Sequence, residues 1–315
     1  MEPVDQRPAR EWQARVKPQG REEDRVMTTN TDELTLELRE TVADCGTLRY
    51  YDSGEGEQTV LFLHGSGPGV TGWRNFRGIL PTFARRFRCL ILEFPGFGVT
   101  EDIGGHPMMT AQAAVVPFLD ALGVDTVDIV GNSMGGGVGI HTAIGHPDRV
   151  RRLVTIGGIG TNIYSPGPSE GIRLLQEFTE DPTRQRLVDW LNSMVYDPTL
   201  VTEELIEERW KLATDPGTLA AARRMYGKAA FAQMMAFMRN SDAPLPWAQM
   251  HKVTAPTLLT WGRDDRVSPL DMSLIPMRTI PHAELHVFPN CGHWAMIEAK
   301  AAFEATVLSF LSRDL

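Results

Sequence analysis

The chain has 315 residues, 42% of them hydrophobic and 23% charged, with 29 glycines, a composition that supports a packed core and excludes an intrinsically disordered chain. A formal charge of −9, from 31 Lys+Arg against 40 Asp+Glu, excludes a basic surface broad enough to carry nucleic-acid or anionic-membrane binding. The partner expected is a small molecule.

Residues 1–26 interleave charges with prolines and contain no apolar h-region, so they are not a signal peptide, and 1–30 reads as a disordered extension. Foldable patterning begins with the alternation Leu34, Leu36, Leu38, which, with Leu48 to Tyr51 beyond Asp44-Cys45-Gly46, predicts an antiparallel hairpin. A short apolar strand, Thr59 to Leu63, then runs into His64-Gly65-Ser66-Gly67-Pro68-Gly69. An amphipathic segment from Trp73 to Arg86 follows, then a strand from Arg88 to Glu93 that ends at the turn Pro95-Gly96-Phe97-Gly98. A helix near Thr110 to Leu122, a strand Val127 to Val130, a helix after Ser133 and a strand Leu153 to Ile156 continue the rhythm.

Between about 161 and 250 the rhythm changes to helical patches with Asp-Pro and Pro-Gly breaks and no β-branched strand. Strand and helix then alternate again: Thr257 to Trp261, Leu270 to Met277, Glu284 to Phe288, and a final helix from Trp294 to Leu311. Short apolar strands separated by helices require crossover connections, hence an α/β fold with a mostly parallel central sheet and helices on both faces. Residues 31–160 and 251–315 are expected to form its core and 161–250 an inserted helical cap. No apolar run approaches the roughly 18 residues of a membrane span. Cys45, Cys89 and Cys291 are odd in number and far apart, which fits a reducing compartment, so the cytoplasm is expected. A homo-oligomer, dimer or tetramer, stays open.

The sharpest chemical signal is Val130-Gly131-Asn132-Ser133-Met134-Gly135-Gly136. It satisfies G-x-S-x-G directly after a strand and before a helix, where small neighbours allow a strained turn that exposes a serine hydroxyl. The helix start puts backbone N–H groups and a positive dipole end beside any oxyanion formed there. A serine is a poor nucleophile until a base takes its proton, and the base needs an orienting anion. Gly262-Arg263-Asp264-Asp265 places carboxylates just past a later strand, and Asn290-Cys291-Gly292-His293 places a histidine just past the next. Spacing alone does not choose between Asp264 and Asp265. His64 opens the loop facing the serine, where backbone N–H groups matter more than the imidazole. No metal or organic cofactor is expected, since the sequence has neither a His cluster at ligand spacing nor a phosphate loop.

From about residue 34 to the end the sequence resembles the α/β-hydrolase superfamily, and within it the meta-cleavage product hydrolases, which cleave a carbon–carbon bond in 2-hydroxy-6-oxo-hexa-2,4-dienoates from aromatic or steroid breakdown. The resemblance rests on Ser66-Gly67-Pro68-Gly69 with Trp73 and Asn75, on Gly131 to Gly136, on Gly262-Arg263-Asp264-Asp265-Arg266, and on Cys291-Gly292-His293-Trp294. It implies an α/β-hydrolase fold with Ser133, Asp265 and His293 as catalytic residues and Ser66 and Met134 as the oxyanion hole. It further implies substrate contacts from Gly67, Asn75, Asn132, Arg209 and Trp294. Arg209 is carried over from the cap segment Tyr196-Asp197-Pro198 to Arg209-Trp210 as the partner of the substrate carboxylate, a task suited to a bidentate, permanently charged guanidinium. The competing reading pairs Arg209 with Glu204 or Glu208 at helical spacing.

Two departures stand out. Ser66 replaces a frequent glycine, and Glu93 replaces the usual aspartate before the Pro-Gly turn. The same serine chemistry would serve an esterase or lactonase acting on a bulky apolar substrate, for which cap residues such as Phe178, Trp190, Met194, Tyr196, Phe237 and Met238 could supply a pocket. A non-catalytic ligand binder on the same fold is the remaining alternative, and an intact Ser133, Asp265 and His293 argues against it.

Overall fold

The hairpin that opens the fold is β1 (Arg39–Ala43) and β2 (Gly46–Asp52), paired antiparallel with Thr41 opposite Leu48. The apolar runs that follow become β3 (Thr59–Leu63), β4 (Arg88–Glu93), β5 (Val127–Asn132), β6 (Val150–Ile156), β7 (Thr257–Gly262) and β8 (Ala283–Phe288). All eight strands form one sheet in the order β1-β2-β4-β3-β5-β6-β7-β8, parallel from β4 to β8. The structure, a computed structural model, describes residues 34–56, 58–240 and 246–314, and the extension expected over 1–30 lies outside them.

The central strands are apolar on both faces because each face meets its own layer. Along β3, Val60 and Phe62 belong to one hydrophobic cluster and Leu61 and Leu63 to the other, all with no exposed surface. Full burial of side chains of this size stabilises by roughly 1.5–3 kcal/mol each. The helices of the first half are α1 (Gly72–Phe76), α2 (Leu80–Phe83), α3 (Pro107–Ala121) and α4 (Met134–Gly145). Between β6 and β7 come α5 (Glu170–Glu180), α6 (Arg184–Met194), α7 (Glu203–Ala213), α8 (Pro216–Tyr226) and α9 (Lys228–Asn240), with no strand among the described residues. The chain ends with α10 (Leu274–Thr279), α11 (Ala295–Glu298) and α12 (Lys300–Leu311).

Two expectations need correcting. Leu34 to Leu38 form no strand; the ladder begins at Arg39, because the tight turn after Ala43 pairs Arg39 with Tyr50 and leaves β2 few further residues to pair with. The leucine alternation reflects packing instead, since Leu34 and Leu36 lie against the core as extended chain. The final helix is two helices, broken at Ala299 (φ −109°, ψ 33°), and the carboxylate just before the break, that of Glu298, turns back to accept three backbone N–H bonds.

Candidate active site

The catalytic candidates and the 64–67 loop fall at the carboxyl ends of strands, 64–67 after β3, Ser133 after β5, Asp265 after β7 and His293 after β8, while Asn75 lies in α1. These strands lie side by side with β6 in the sheet, so sequence-distant motifs converge on one edge, where ligands of open α/β sheets bind.

Ser133 is the pivot between β5 and α4, with φ 53° and ψ −113°, a conformation costing on the order of 1–3 kcal/mol for a residue with a Cβ. Its N–H donates to the Ile156 carbonyl at 2.9 Å, and its own carbonyl accepts from Gly136 at 2.9 Å, which holds the turn. The small residues are required by contact: a Cβ on Gly131 would lie 2.4 Å from the Gly135 carbonyl oxygen. Across the turn, a Cβ on Gly158, at φ +74°, would lie 2.2 Å from Ser133 Cα, so the end of β6 also presses against the serine. Met134 opens α4, and its N–H has no partner inside the helix.

His293 and Asp265 are both buried, with Nδ1 of the histidine 2.7 Å from Oδ2 of the aspartate. The carboxylate can only accept, so Nδ1 carries the proton and Nε2 is left as a base. The other oxygen, Oδ1, accepts from the N–H groups of Val267 and Ser268, each at 2.8 Å, which fixes the carboxylate from behind. Asp264 turns away to Arg263, 3.1 Å distant. The backbone N–H of His293 donates to the Met194 carbonyl at 2.7 Å, tying its loop to the end of α6.

The loop after β3 is held by two buried groups. The side-chain Oδ1 of Asn75 accepts from the Gly65 N–H at 3.1 Å. Nε2 of His64 accepts from the Phe94 N–H at 3.0 Å, so its proton is on Nδ1, 2.6 Å from the Gly65 carbonyl. Burial lowers the His64 pKa to about 4, making it a neutral structural residue. Glu93 accepts from the N–H groups of Gly72 and Trp73 at 2.8 and 2.9 Å, and burial raises its pKa to about 7. Ser66 Oγ is hydrogen-bonded to Tyr226 Oη, and desolvation raises the pKa of this half-buried residue to about 12.

A cavity of about 30 Å³, room for a single water, is lined by Ser133, His293, Ser66, Gly67, Asn75, Asn132, Arg209 and Trp294, so the candidate residues meet there except Asp265, behind the histidine, and Met134. The Asn132 amide donates to the Ile156 carbonyl at 3.1 Å. Arg209 is 3% exposed; it donates to the Pro68 carbonyl at 3.1 Å, lies over the Trp294 ring at 5.4 Å, and leaves its Nε unpartnered. Among the described residues it pairs with no carboxylate, since Glu208 goes to Arg74 instead. Burial, and then the charge of Arg74, lower its pKa to about 9, which leaves it cationic at neutral pH.

Several lining residues were not singled out as site residues. Tyr226 has no motif or spacing to mark it. Trp190, from the stripe Leu187, Trp190, Leu191 and Met194 that reads as cap packing, covers Gly67, and its indole N–H has no partner. Met194 also lines the cavity, whereas Phe178 is wholly buried elsewhere, Tyr196 is exposed, and the Phe237 and Met238 side chains lie outside the described residues.

A family model described as the alpha/beta hydrolase fold matches residues 58–300. The chain belongs to the α/β-hydrolase family. Among relatives of this hydrolase, a 2-hydroxy-6-oxononadienedioate/2-hydroxy-6-oxononatrienedioate hydrolase of Burkholderia vietnamiensis is 36% identical over 297 residues, covering 90% of this chain and 98% of the relative. A 2-hydroxy-6-oxo-6-phenylhexa-2,4-dienoate hydrolase of Burkholderia cepacia is 36% identical over 83% of this chain and 90% of the relative. The fold is similar to that of a meta-cleavage product hydrolase from Pseudomonas fluorescens, with a TM-score of 0.76 and 31% identity over 87% of this chain and 97% of the other. No helix among the described residues is long and apolar enough to cross a membrane.

Proposed function

We propose that this hydrolase cleaves the carbon–carbon bond of a 2-hydroxy-6-oxo-hexa-2,4-dienoate formed in aromatic or steroid breakdown. The observation that carries the reading is Arg209: a buried guanidinium with no carboxylate partner, on the cavity that also holds Ser133 and His293. A desolvated, unpaired cation is costly unless an anion completes it, and a dienoate carboxylate at Arg209 does so. A neutral ester gives no reason for that charge.

In the proposed mechanism the dienolate is first protonated at carbon while Arg209, Asn75, Asn132, Gly67 and Trp294 hold it, leaving the C6 ketone as electrophile. Ser133 attacks that carbonyl as its proton passes to Nε2 of His293, whose Nδ1–H is held by Asp265. The N–H groups of Ser66 and Met134 stabilise the oxyanion. Collapse breaks the C5–C6 bond and expels a dienolate fragment, which takes the proton held by His293 and returns the imidazole to its neutral form. Water, deprotonated by His293, then releases the carboxylic acid from the serine. The 161–250 segment serves as the cap that closes over the substrate, a role supported by Trp190, Met194, Arg209 and Tyr226 lining the cavity from its helices. The three separate free cysteines favour a reducing cytoplasm as its location.

The test offers purified enzyme a yellow ring-fission dienoate, a p-nitrophenyl ester and a lactone in parallel. We expect rapid loss of the dienoate colour, abolished in Ser133→Ala. In Arg209→Gln, kcat/KM for the dienoate should fall about a hundredfold or more while neutral esters change little. Robust ester or lactone turnover with an untouched dienoate sinks the proposal.

A further inference from the structure

The relatives' names divide at the far end of the substrate, where one is a dioate with a second carboxylate and another carries a phenyl group on C6. The cavity of this chain bears on that division. Among the residues lining it, Arg209 is the one permanent cation, and the other basic side chain, His293, is engaged by Asp265.

The lining apart from the Arg209 wall and the catalytic strand ends is made of Val70, Ile172, Leu175, Trp190, Met194 and Val267, all buried except the half-buried Ile172. The polar atoms interleaved with them are neutral. Ser66 Oγ and Tyr226 Oη share one hydrogen bond, which leaves one neutral O–H free to donate, and the Tyr226 phenol keeps its proton at any physiological pH. Trp190 Nε1 is a second neutral donor without a partner. Neutral donors of this kind suit a keto or ether oxygen, whereas an ionised carboxylate buried among apolar side chains needs a cation or a fuller set of donors.

We infer that this enzyme is selective for monoanionic dienoates whose C6 substituent is uncharged and apolar, and that it discriminates against the dicarboxylate its relatives' names denote. The inference rests on the reading of Arg209 as the seat of the dienoate carboxylate: with that cation used, a second carboxylate would be buried unpaired among aliphatic side chains. Selectivity built on stranding a charge is steeper than selectivity built on fit, because a missing or extra methylene changes rates far less than an unpaired buried polar group.

The experiment measures kcat/KM of the purified full-length enzyme for three compounds at one pH and ionic strength: 2-hydroxy-6-oxonona-2,4-dienedioate, its 6-phenyl hexadienoate counterpart, and the 6-methyl counterpart. We expect the better of the two uncharged-substituent compounds to exceed the dioate at least a hundredfold. Dioate turnover equal to or above both overturns the inference and leaves the carbon–carbon reading intact. No cleavage of any of the three, with a lactone or ester turned over by the same sample, removes both.

Discussion

At the scale of single residues, two adjacent aspartates have opposite environments. Asp265 is buried, hydrogen-bonded to His293 and braced by two backbone N–H groups, while the half-buried Asp264 pairs with Arg263. We therefore expect Asp265→Asn to lower kcat by roughly 10³–10⁴, since an amide can donate to Nδ1 and so favour the wrong tautomer. Asp264→Asn should leave kcat within about twofold, and steady-state kinetics on the two variants separates them. The sequence shows both carboxylates at the end of β7, but their facing directions depend on local turn geometry. Arg209 is similar: its own helix offered Glu204 or Glu208 as a partner, and the fold gave Glu208 to Arg74, on a helix more than a hundred positions away.

At the scale of elements, strand ends carry the chemistry and the helices that start beyond them supply N–H groups. Strand existence was legible because a strand buried on both faces must be a short apolar run, and β3 and β4 match their sequence expectations end to end. The hairpin was legible as a pair but not in its bounds, since Leu34 and Leu36 reach the core without joining a ladder. Glu93, at the end of β4, stabilises the start of α1 through two N–H bonds, yet burial holds its pKa near 7, above the ordinary carboxylate value of 4.5. Between those two values the folded state keeps a proton that the unfolded chain releases, so this group's contribution to stability falls as pH rises from about 4.5 to 7. Compared with Glu93→Gln, the wild type should lose more Tm between pH 5 and 7.5, measured by thermal unfolding at matched ionic strength. An equal or smaller loss rules out a raised Glu93 pKa.

At the scale of the whole molecule, residues 34–315 form one compact unit, and the helices between β6 and β7 are joined to the strand-end loops at the histidine. The Met194 carbonyl accepts from His293, and Glu298 accepts from Gly292 on one side and from Tyr196 and Asp197 on the other. Glu298 therefore couples the segment after α6 to the loop that carries His293. Glu298→Ala should cost about 1–3 kcal/mol in urea unfolding by stranding those N–H groups, and should lower kcat more than it raises KM. Unchanged stability and kcat would remove that coupling role.

The sequence by itself determined the order of serine, carboxylate and histidine, their positions after β5, β7 and β8, and the elbow at Ser133, because each of those signals is local: an apolar run, a turn and one reactive side chain within a few residues. The resemblance named Asp265, and the tertiary structure supplied what spacing left open: its 2.7 Å contact with His293, an Arg209 with no carboxylate partner among the described residues, and Tyr226 and Trp190 over Ser66 and Gly67. Those contacts join the helices between β6 and β7 to the strand-end loops across long stretches of chain, 160 positions in the case of Ser66 and Tyr226, with no periodicity linking the partners. Their geometry follows from how the helices pack over the sheet edge, and that packing sums many weak contacts that no short motif encodes.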